Sequence, residues 1–274
     1  SAQRINEVLD IHPEINDPDS PVTSETKKGY IEFRNVSFKY PGAEEPALKN
    51  ISFKVCPGET TAIIGGTGSG KTTLVSMIMR FYEAAEGQIL VDDVPVTDMT
   101  QEHLREKIGY VPQKAVLFTG SVSENIRYGK KEATDDEVVA AAETAQASEF
   151  IDEREGGYDS IIAQGGTNIS GGQKQRLSIA RALVRRPEVY IFDDSFSALD
   201  FKTDAKLRRA LKKETTESTV IIVAQRVSTI MNADRIIVLD NGGICGVGKH
   251  RDLLDSCNVY KEIVSSQLSE EELA

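Results

Sequence analysis

Thr61-Ala62-Ile63-Ile64 runs directly into Gly65-Gly66-Thr67-Gly68-Ser69-Gly70-Lys71-Thr72, and residues 73–80 continue with helical character. This order decides the fold. A short buried strand, a glycine loop of the pattern G-x-x-x-x-G-K-[ST] and a helix make the setting in which a loop grips phosphate. The glycines let successive backbone N–H groups curl around phosphate oxygens. The helix start adds the positive end of its dipole. Gly65, Gly66, Thr67, Gly68, Ser69, Gly70, Lys71, Thr72 and Thr73 are therefore the expected nucleotide contacts. Lys71 would reach the outer phosphates, and the Thr72 hydroxyl suits Mg²⁺.

The pattern extends in both directions. Downstream, apolar runs at residues 189–192, 220–224 and 236–239 alternate with helical segments. Continuous apolar runs separated by helices indicate a parallel sheet covered on both faces. Asp193 closes the first run, a strand end where a carboxylate can hold Mg²⁺ beside Thr72. Leu177, Ala180 and Val184 mark one face of a helix running out into Arg185-Arg186 and Pro187, cations that complement its dipole. Asn241-Gly242 predicts a tight hairpin after the last run. Upstream, Ile31, Phe33, Val36, Phe38 and Tyr40 alternate with polar residues, and residues 48–55 alternate again. Pro41-Gly42 and Pro57-Gly58 turn the chain. Residues 88–91 read as another strand, and residues 134–150, rich in Ala and Glu, have helical spacing. Residues 1–29, with Pro13, Pro18 and Pro21, read as a linker with a short helix at 2–9.

Composition narrows the function classes. Of 274 residues, 39% are hydrophobic and 27% charged, as in soluble globular proteins. No apolar run approaches the ~20 residues that span a bilayer, and the polar start has no secretory pattern. The formal net charge of −11 argues against a nucleic-acid partner, whose phosphates need clustered Lys and Arg. Cys56, Cys245 and Cys257 form no CxxC pair, and His12, His103 and His250 have no metal-ligand spacing. Reduced thiols in a cytosolic protein are expected, without zinc.

Asn168-Ile169-Ser170-Gly171-Gly172-Gln173-Lys174-Gln175-Arg176 is far more specific than a phosphate loop. It resembles the signature motif of ATP-binding-cassette (ABC) ATPases, and the resemblance covers nearly all of the chain from Tyr30 onward. Tyr40 matches the aromatic residue that stacks on adenine. Gln113, in Tyr110-Val111-Pro112-Gln113, matches the Q-loop, which senses Mg²⁺. Ser197, Ala198, Leu199 and Asp200 match the D-loop. Residues 117–122 with Glu124-Asn125-Ile126 look like the exporter form of the helical subdomain. Ala2-Gln3-Arg4-Ile5 with Leu9 resembles the segment after the last membrane helix.

The resemblance implies an α/β fold with a P-loop (RecA-like) core at residues 30–113 and 170–274 and an N-terminal antiparallel β subdomain. It implies an inserted α-helical subdomain at residues 114–169, turning on Gln113 when ATP binds. The linker would follow a transmembrane domain of the same polypeptide, on the cytoplasmic face of a membrane. ATP and Mg²⁺ are the implied ligands, the metal at Thr72, Gln113 and Asp193. The partner would be a second nucleotide-binding domain, arranged head to tail. Ser170, Gly171, Gly172 and Gln173 would then contact the nucleotide held by that partner. A serine capping a helix and presenting glycine amides suits a γ-phosphate.

Two positions depart from the family pattern. Asp194 stands where the family carries the Glu that polarises the attacking water, and Gln225 where it carries a switch His. Aspartate is one methylene shorter, and a misplacement of ~1 Å at a reacting group can cost ~10²-fold in rate. Gln225 keeps a donor amide but not the cationic charge of imidazole. Both changes fall on one site and weaken one step, with Asp194, Gln225 and Gln113 as the expected catalytic group. Heterodimeric ABC exporters share this pattern, one degenerate ATP site beside one consensus site. Two alternatives stand beside it: a regulatory ATP-binding module with negligible hydrolysis, and a fully active homodimeric ABC ATPase in which Asp194 is a sufficient base.

Overall fold

The computed structural model describes residues 13–23 and 28–267; the helix expected at residues 2–9 lies outside them. An antiparallel sheet comes first. Strands β1 (Ile31–Phe38), β2 (Leu48–Val55), β4 (Glu86–Val91) and β5 (Val94–Pro95) lie in the order β2-β1-β4-β5. The alternation read from Ile31 through Tyr40 is interrupted. The register against β2 shifts between Phe33 and Val36, where Asn35 adopts φ 51. Such a bulge keeps both Phe33 and Val36 buried. The strand ends at Phe38, so Tyr40 stands in the following turn, its carbonyl accepting from Ala43 N at 3.0 Å.

The second sheet has six strands in the order β12-β11-β3-β10-β9-β6. They are β3 (Thr60–Gly65), β6 (Ile108–Val111), β9 (Val189–Asp193), β10 (Thr219–Val223), β11 (Arg235–Asp240) and β12 (Gly243–Gly248). The inner pairings are parallel, and only β12 returns antiparallel on β11. Asn241 (φ 46) and Gly242 (φ 81) form that two-residue return, both with the positive φ of a type I′ turn. β6, just ahead of Gln113, is a strand the apolar runs did not mark.

Within the continuous apolar runs a two-residue period survives, because successive strand side chains point to opposite faces. Ile63, Ile191, Ile221, Val223 and Ile237 join a core shared with β1, β2, β4 and helix α1 (Lys71–Ile78). Ala62, Ile64, Phe192, Ile222 and Val238 join the opposite core. Helices α6 (Gly171–Leu183), α7 (Phe201–Glu214) and α10 (Asn258–Ser265) cover that side. The sheet is thus covered on both faces, as a parallel sheet requires.

Helix α2 (Gln101–Glu106) precedes β6, and α8 (Val227–Ile230) and α9 (His250–Ser256) flank β11 and β12. Between β6 and α6 lie α3 (Val122–Arg127), α4 (Asp135–Thr144), α5 (Ser148–Asp152) and the short pair β7 (Gly120–Ser121) and β8 (Ile161–Ile162). The single helix expected over residues 134–150 is therefore two. Thr134 starts α4 with a capping box. Gln146 then takes φ 57, and Ala147 N bonds back to Ala142 O at 2.7 Å, closing a Schellman-type end. Arg176 Nη1 donates to Gln146 O at 2.9 Å, a tertiary bond that holds the break.

Candidate nucleotide site

β3, β10 and β9 are neighbours and parallel, so their carboxyl ends make one edge of the sheet. The loop after Gly65, the pair Asp193-Asp194 and Gln225 all leave from that edge, where open α/β sheets bind ligands. A cavity of 380 Å³ lies there. Its walls are Thr67, Gly68, Gly70, Lys71, Thr72 and Thr73 of the loop and helix start, Tyr40 and Ala47, and Gln113, Asp193, Asp194, Val223 and Gln225.

The loop is shaped by contact as well as conformation. A Cβ on Gly65 would sit 2.2 Å from Leu239 O. Gly70, at φ 99, would put one 2.7 Å from Ala47 O. At Gly66 and Gly68 a Cβ meets nothing within 4 Å, so these face open space in the cradle. Helix α1 starts at Gly70 with no side-chain cap and no acid in its first turn. Its leading N–H groups and dipole therefore remain for an anion. Lys71 Nζ folds across the loop, donating to Gly65 O at 2.8 Å and Gly66 O at 2.7 Å. Burial pushes its pKa down, opposed by the charges of Asp194 and Asp193.

Asp193 is 1% exposed. Thr72 Oγ1 donates to its Oδ1 at 3.2 Å, and the Tyr110 hydroxyl donates to its Oδ2 at 3.2 Å. Burial raises the Asp193 pKa, while those two bonds oppose the rise. A hydroxyl, a carboxylate and the Gln113 amide facing one cavity form a hard oxygen set that fits Mg²⁺. Among the described residues no three His, Cys, Asp or Glu cluster as a metal cage.

Asp194 has φ 48, and its N–H donates to Val223 O at 2.9 Å, carrying the parallel pairing one step past β9. The turn aims the carboxylate into the cavity. Gln113 Nε2 and Gln225 Nε2 both donate to Oδ2, at 3.0 and 2.9 Å. An ionised carboxylate only accepts, so the amide nitrogens must face it. Burial is the largest influence on Asp194 and raises its pKa; the Gln113 bond and the Lys71 charge pull it back.

The Tyr40 hydroxyl pairs with Thr73 Oγ1 at 2.9 Å. Its ring meets Phe38 and Tyr82 edge-on, with centroids 4.8 and 5.1 Å away. Those contacts hold the ring at the cavity wall.

The signature residues lie elsewhere. None of Ser170, Gly171, Gly172 and Gln173 lines this cavity. Ser170 caps α6 through a capping box with Gln173, its Oγ accepting from Gln173 N at 3.3 Å and its N–H donating to Gln173 Oε1 at 2.9 Å. A Cβ on Gly172 would come 3.1 Å from Ala198 O, so the start of α6 abuts the Ser197–Asp200 turn. Ser197 Oγ donates to Asp194 O at 2.8 Å, and Asp200 caps α7 by accepting from Thr203 N at 2.9 Å. Leu199 is buried. Tyr110, Tyr82 and Arg226, whose Nη2 donates to Ser197 O at 3.2 Å, were not singled out from the sequence. Tyr110 carried a signal: Ile108 and Tyr110 share one core and Val111 the other, a strand alternation just before Gln113.

The sequence profile of the ABC transporter family matches residues 48–197. The chain is 46% identical over 271 residues to YfiB of Bacillus subtilis, an uncharacterised ABC transporter ATP-binding protein, covering 99% of this chain and 47% of that protein. It is 42% identical over 270 residues to an ATP-dependent lipid A-core flippase of Haemophilus influenzae, covering 98% and 46%. A solved bacterial Atm1-family ABC exporter with ATP bound matches at a TM-score of 0.93 and 37% identity, over 98% of this chain and 47% of that one. The chain spans about half the length of the relatives it matches. With its profile match over more than half of the residues and a phosphate cradle at the sheet edge, the chain belongs to the ABC transporter family, as an ATP-binding domain.

Proposed function

We propose that this chain is the motor domain of an ABC exporter and that it binds Mg-ATP in the 380 Å³ cavity but hydrolyses it slowly there. Lys71 and the α1 amides would hold the phosphates, and Tyr40 the adenine. Mg²⁺, when bound, neutralises phosphate charge, and Thr72, Asp193 and Gln113 are the residues to hold it. Ser170 to Gln173 would complete the ATP site of a second nucleotide-binding domain, a different chain with a consensus site. Residues 1–29 act as the linker from a transmembrane domain, residues 30–113 and 170–274 as the core, and 114–169 as the helical subdomain. The domain would work at the cytoplasmic membrane face. An exporter role draws on the likeness to the Atm1-family exporter and the flippase.

The observation that carries slow hydrolysis is the convergence of the Gln113 and Gln225 amides on Asp194 Oδ2. Those two bonds orient the carboxylate as a base, and they hold it at the reach of an aspartate, one methylene short of glutamate. One observation favours a second reading, a homodimer active at both sites. Burial raises the Asp194 pKa, and a more basic carboxylate takes a proton more readily. Steady-state ATPase of the chain beside an Asp194→Glu, Gln225→His double variant separates the two. A gain of about tenfold or more, scaled to a ~1 Å repositioning, supports the slow site. A fast parent and a variant no faster make the active homodimer the better account.

A further inference from the structure

We infer that Gln267, at the end of the last described helix, is a positioning residue for the loop that carries Gln225; the inference rests on the proposed role of Gln225. Gln267 Nε2 donates to Gln225 O at 2.7 Å, and Gln267 Oε1 accepts from Val227 N at 2.9 Å. One planar amide thus bridges the backbone on both sides of Arg226, as a neighbouring strand would.

Buried Ala224 and Val227 anchor the two ends of the loop, and the exposed Gln225 and Arg226 lie between them. β10 ends at Val223, and Ala224 N donates to Ile63 O at 3.1 Å, the last bond to the sheet. Helix α8 begins at Val227, and Arg226, its N-cap residue, offers no side-chain cap. The first amide of α8 would be an orphan donor. A residue 40 positions away in sequence supplies its acceptor. Of the two side chains leaving this stretch, Gln225 lines the site and Arg226 reaches the turn beside it. Gln225 donates to Asp194 Oδ2 at 2.9 Å, and Arg226 to Ser197 O at 3.2 Å. Fixing the Gln225 carbonyl fixes the peptide plane from which its side chain departs.

The anchor for the clamp is firm. Tyr260 and Val264 of α10 are fully buried, and the Tyr260 hydroxyl pairs with His250 Nδ1 at 2.7 Å. Gln267 N donates to Val264 O at 3.0 Å, so its backbone belongs to the last turn. Chemistry selects the residue. The bridge needs one donor and one acceptor on a rigid group of this reach. Glutamate could accept from Val227 but would set a carboxylate oxygen against the Gln225 carbonyl. Asparagine is a methylene short.

The test uses the full chain, with Mg-ATP affinity by calorimetry, single-turnover hydrolysis, and amide exchange at Val227. Gln267→Ala should slow hydrolysis about 5- to 10-fold, as expected for a small misplacement at a reacting group, while ATP affinity changes less than about twofold. Gln267→Glu should slow it at least as much, although its cap to Val227 survives. In a Gln225→Ala background, Gln267→Ala should add nothing, a result that a general loss of stability would not give. The Val227 amide should exchange about fivefold faster in Gln267→Ala, with β10 amides unchanged. Parental hydrolysis in both Gln267 variants, a full extra loss in the Gln225→Ala background, or unchanged Val227 exchange each overturns the inference. Gln225→Ala turning over at the parental rate is a different failure, that of the proposed role of Gln225. Val227 exchange then decides the clamp alone.

Discussion

Asp194 concentrates several costs in one residue. Its φ of 48 lies in the left-handed region, which Asp tolerates better than most residues, at a cost on the order of 1–3 kcal/mol. Its carboxylate is buried beside that of Asp193, and burial raises both pKa values from the ordinary 3.8. An acid raised on folding stabilises the native state most while protonated. That contribution is complete below 3.8 and is lost as pH rises through the folded value. At neutral pH the pair therefore opposes folding. Asp194→Asn keeps an oxygen for the two glutamine amides and removes the charge. It should raise the nucleotide-free Tm at pH 7 by a few degrees, since about 1 kcal/mol corresponds to roughly 2–4 °C in a domain of this size. Calorimetry should show the gain shrinking toward pH 4. Turnover of the same variant should drop about 10²-fold, because the amide cannot take a proton. A Tm gain independent of pH would mean that burial of the charge is not its source.

At the scale of elements, caps and ladder partners set local stability. Ser170 caps α6, and removing such a cap costs ~1 kcal/mol. Ser170→Ala should lower Tm by roughly 2–4 °C and leave ATP affinity of the chain's own cavity unchanged, because Ser170 does not line it. Weaker ATP binding by the monomer would place the signature in its own site. On β1, Arg34, Lys54 and Tyr30 surround Glu32; the Arg34 bond is the largest influence, and together they hold its carboxyl at about 2. A depressed acid contributes stability above its ordinary 4.5, and loses it as pH falls to about 2. Glu32→Gln should flatten the acid limb of a pH–stability curve between those values, and an unchanged limb would remove Glu32 as a source of acid sensitivity. The helix break at Gln146 belongs to this scale too. There Arg176 reaches across from α6 to the Gln146 carbonyl, and Ala145 and Ala147 on either side are buried, so tertiary contacts accompany the interruption.

For the whole molecule, the decisive relation is that the signature lies outside the cavity while the cradle lines it. On the proposed reading, the chain completes an ATP site by pairing. With Mg-ATP at high protein concentration, sedimentation should show a dimer that Ser170→Arg prevents, while single-site ATP binding persists. Dimers that form equally without ATP, or survive Ser170→Arg, would remove the nucleotide from the interface. The acidic balance of −11 adds repulsion between like chains, so self-association should strengthen as salt rises.

The local order of the chain determined much of this. Strand, glycine loop and helix around residues 61–80, the apolar runs, the Asn241-Gly242 return and the Ser170 cap are each set by residues a few positions apart. Their physics is periodicity, turn conformation and capping, which adjacent residues encode. Tertiary structure decided which pieces meet. The strand order β3-β10-β9-β6 brings Thr72 to Asp193 across 121 positions and Gln113 to Asp194 across 81. It sets Tyr110 on the Asp193 carboxylate, and the docking of α10 sets Gln267 on the loop of Gln225, 42 positions away. No local pattern foretells such contacts. They exist only once the sheet has closed and buried both faces, when side chains distant in sequence meet at one edge, where the buried Asp193 and Asp194 carboxylates need partners.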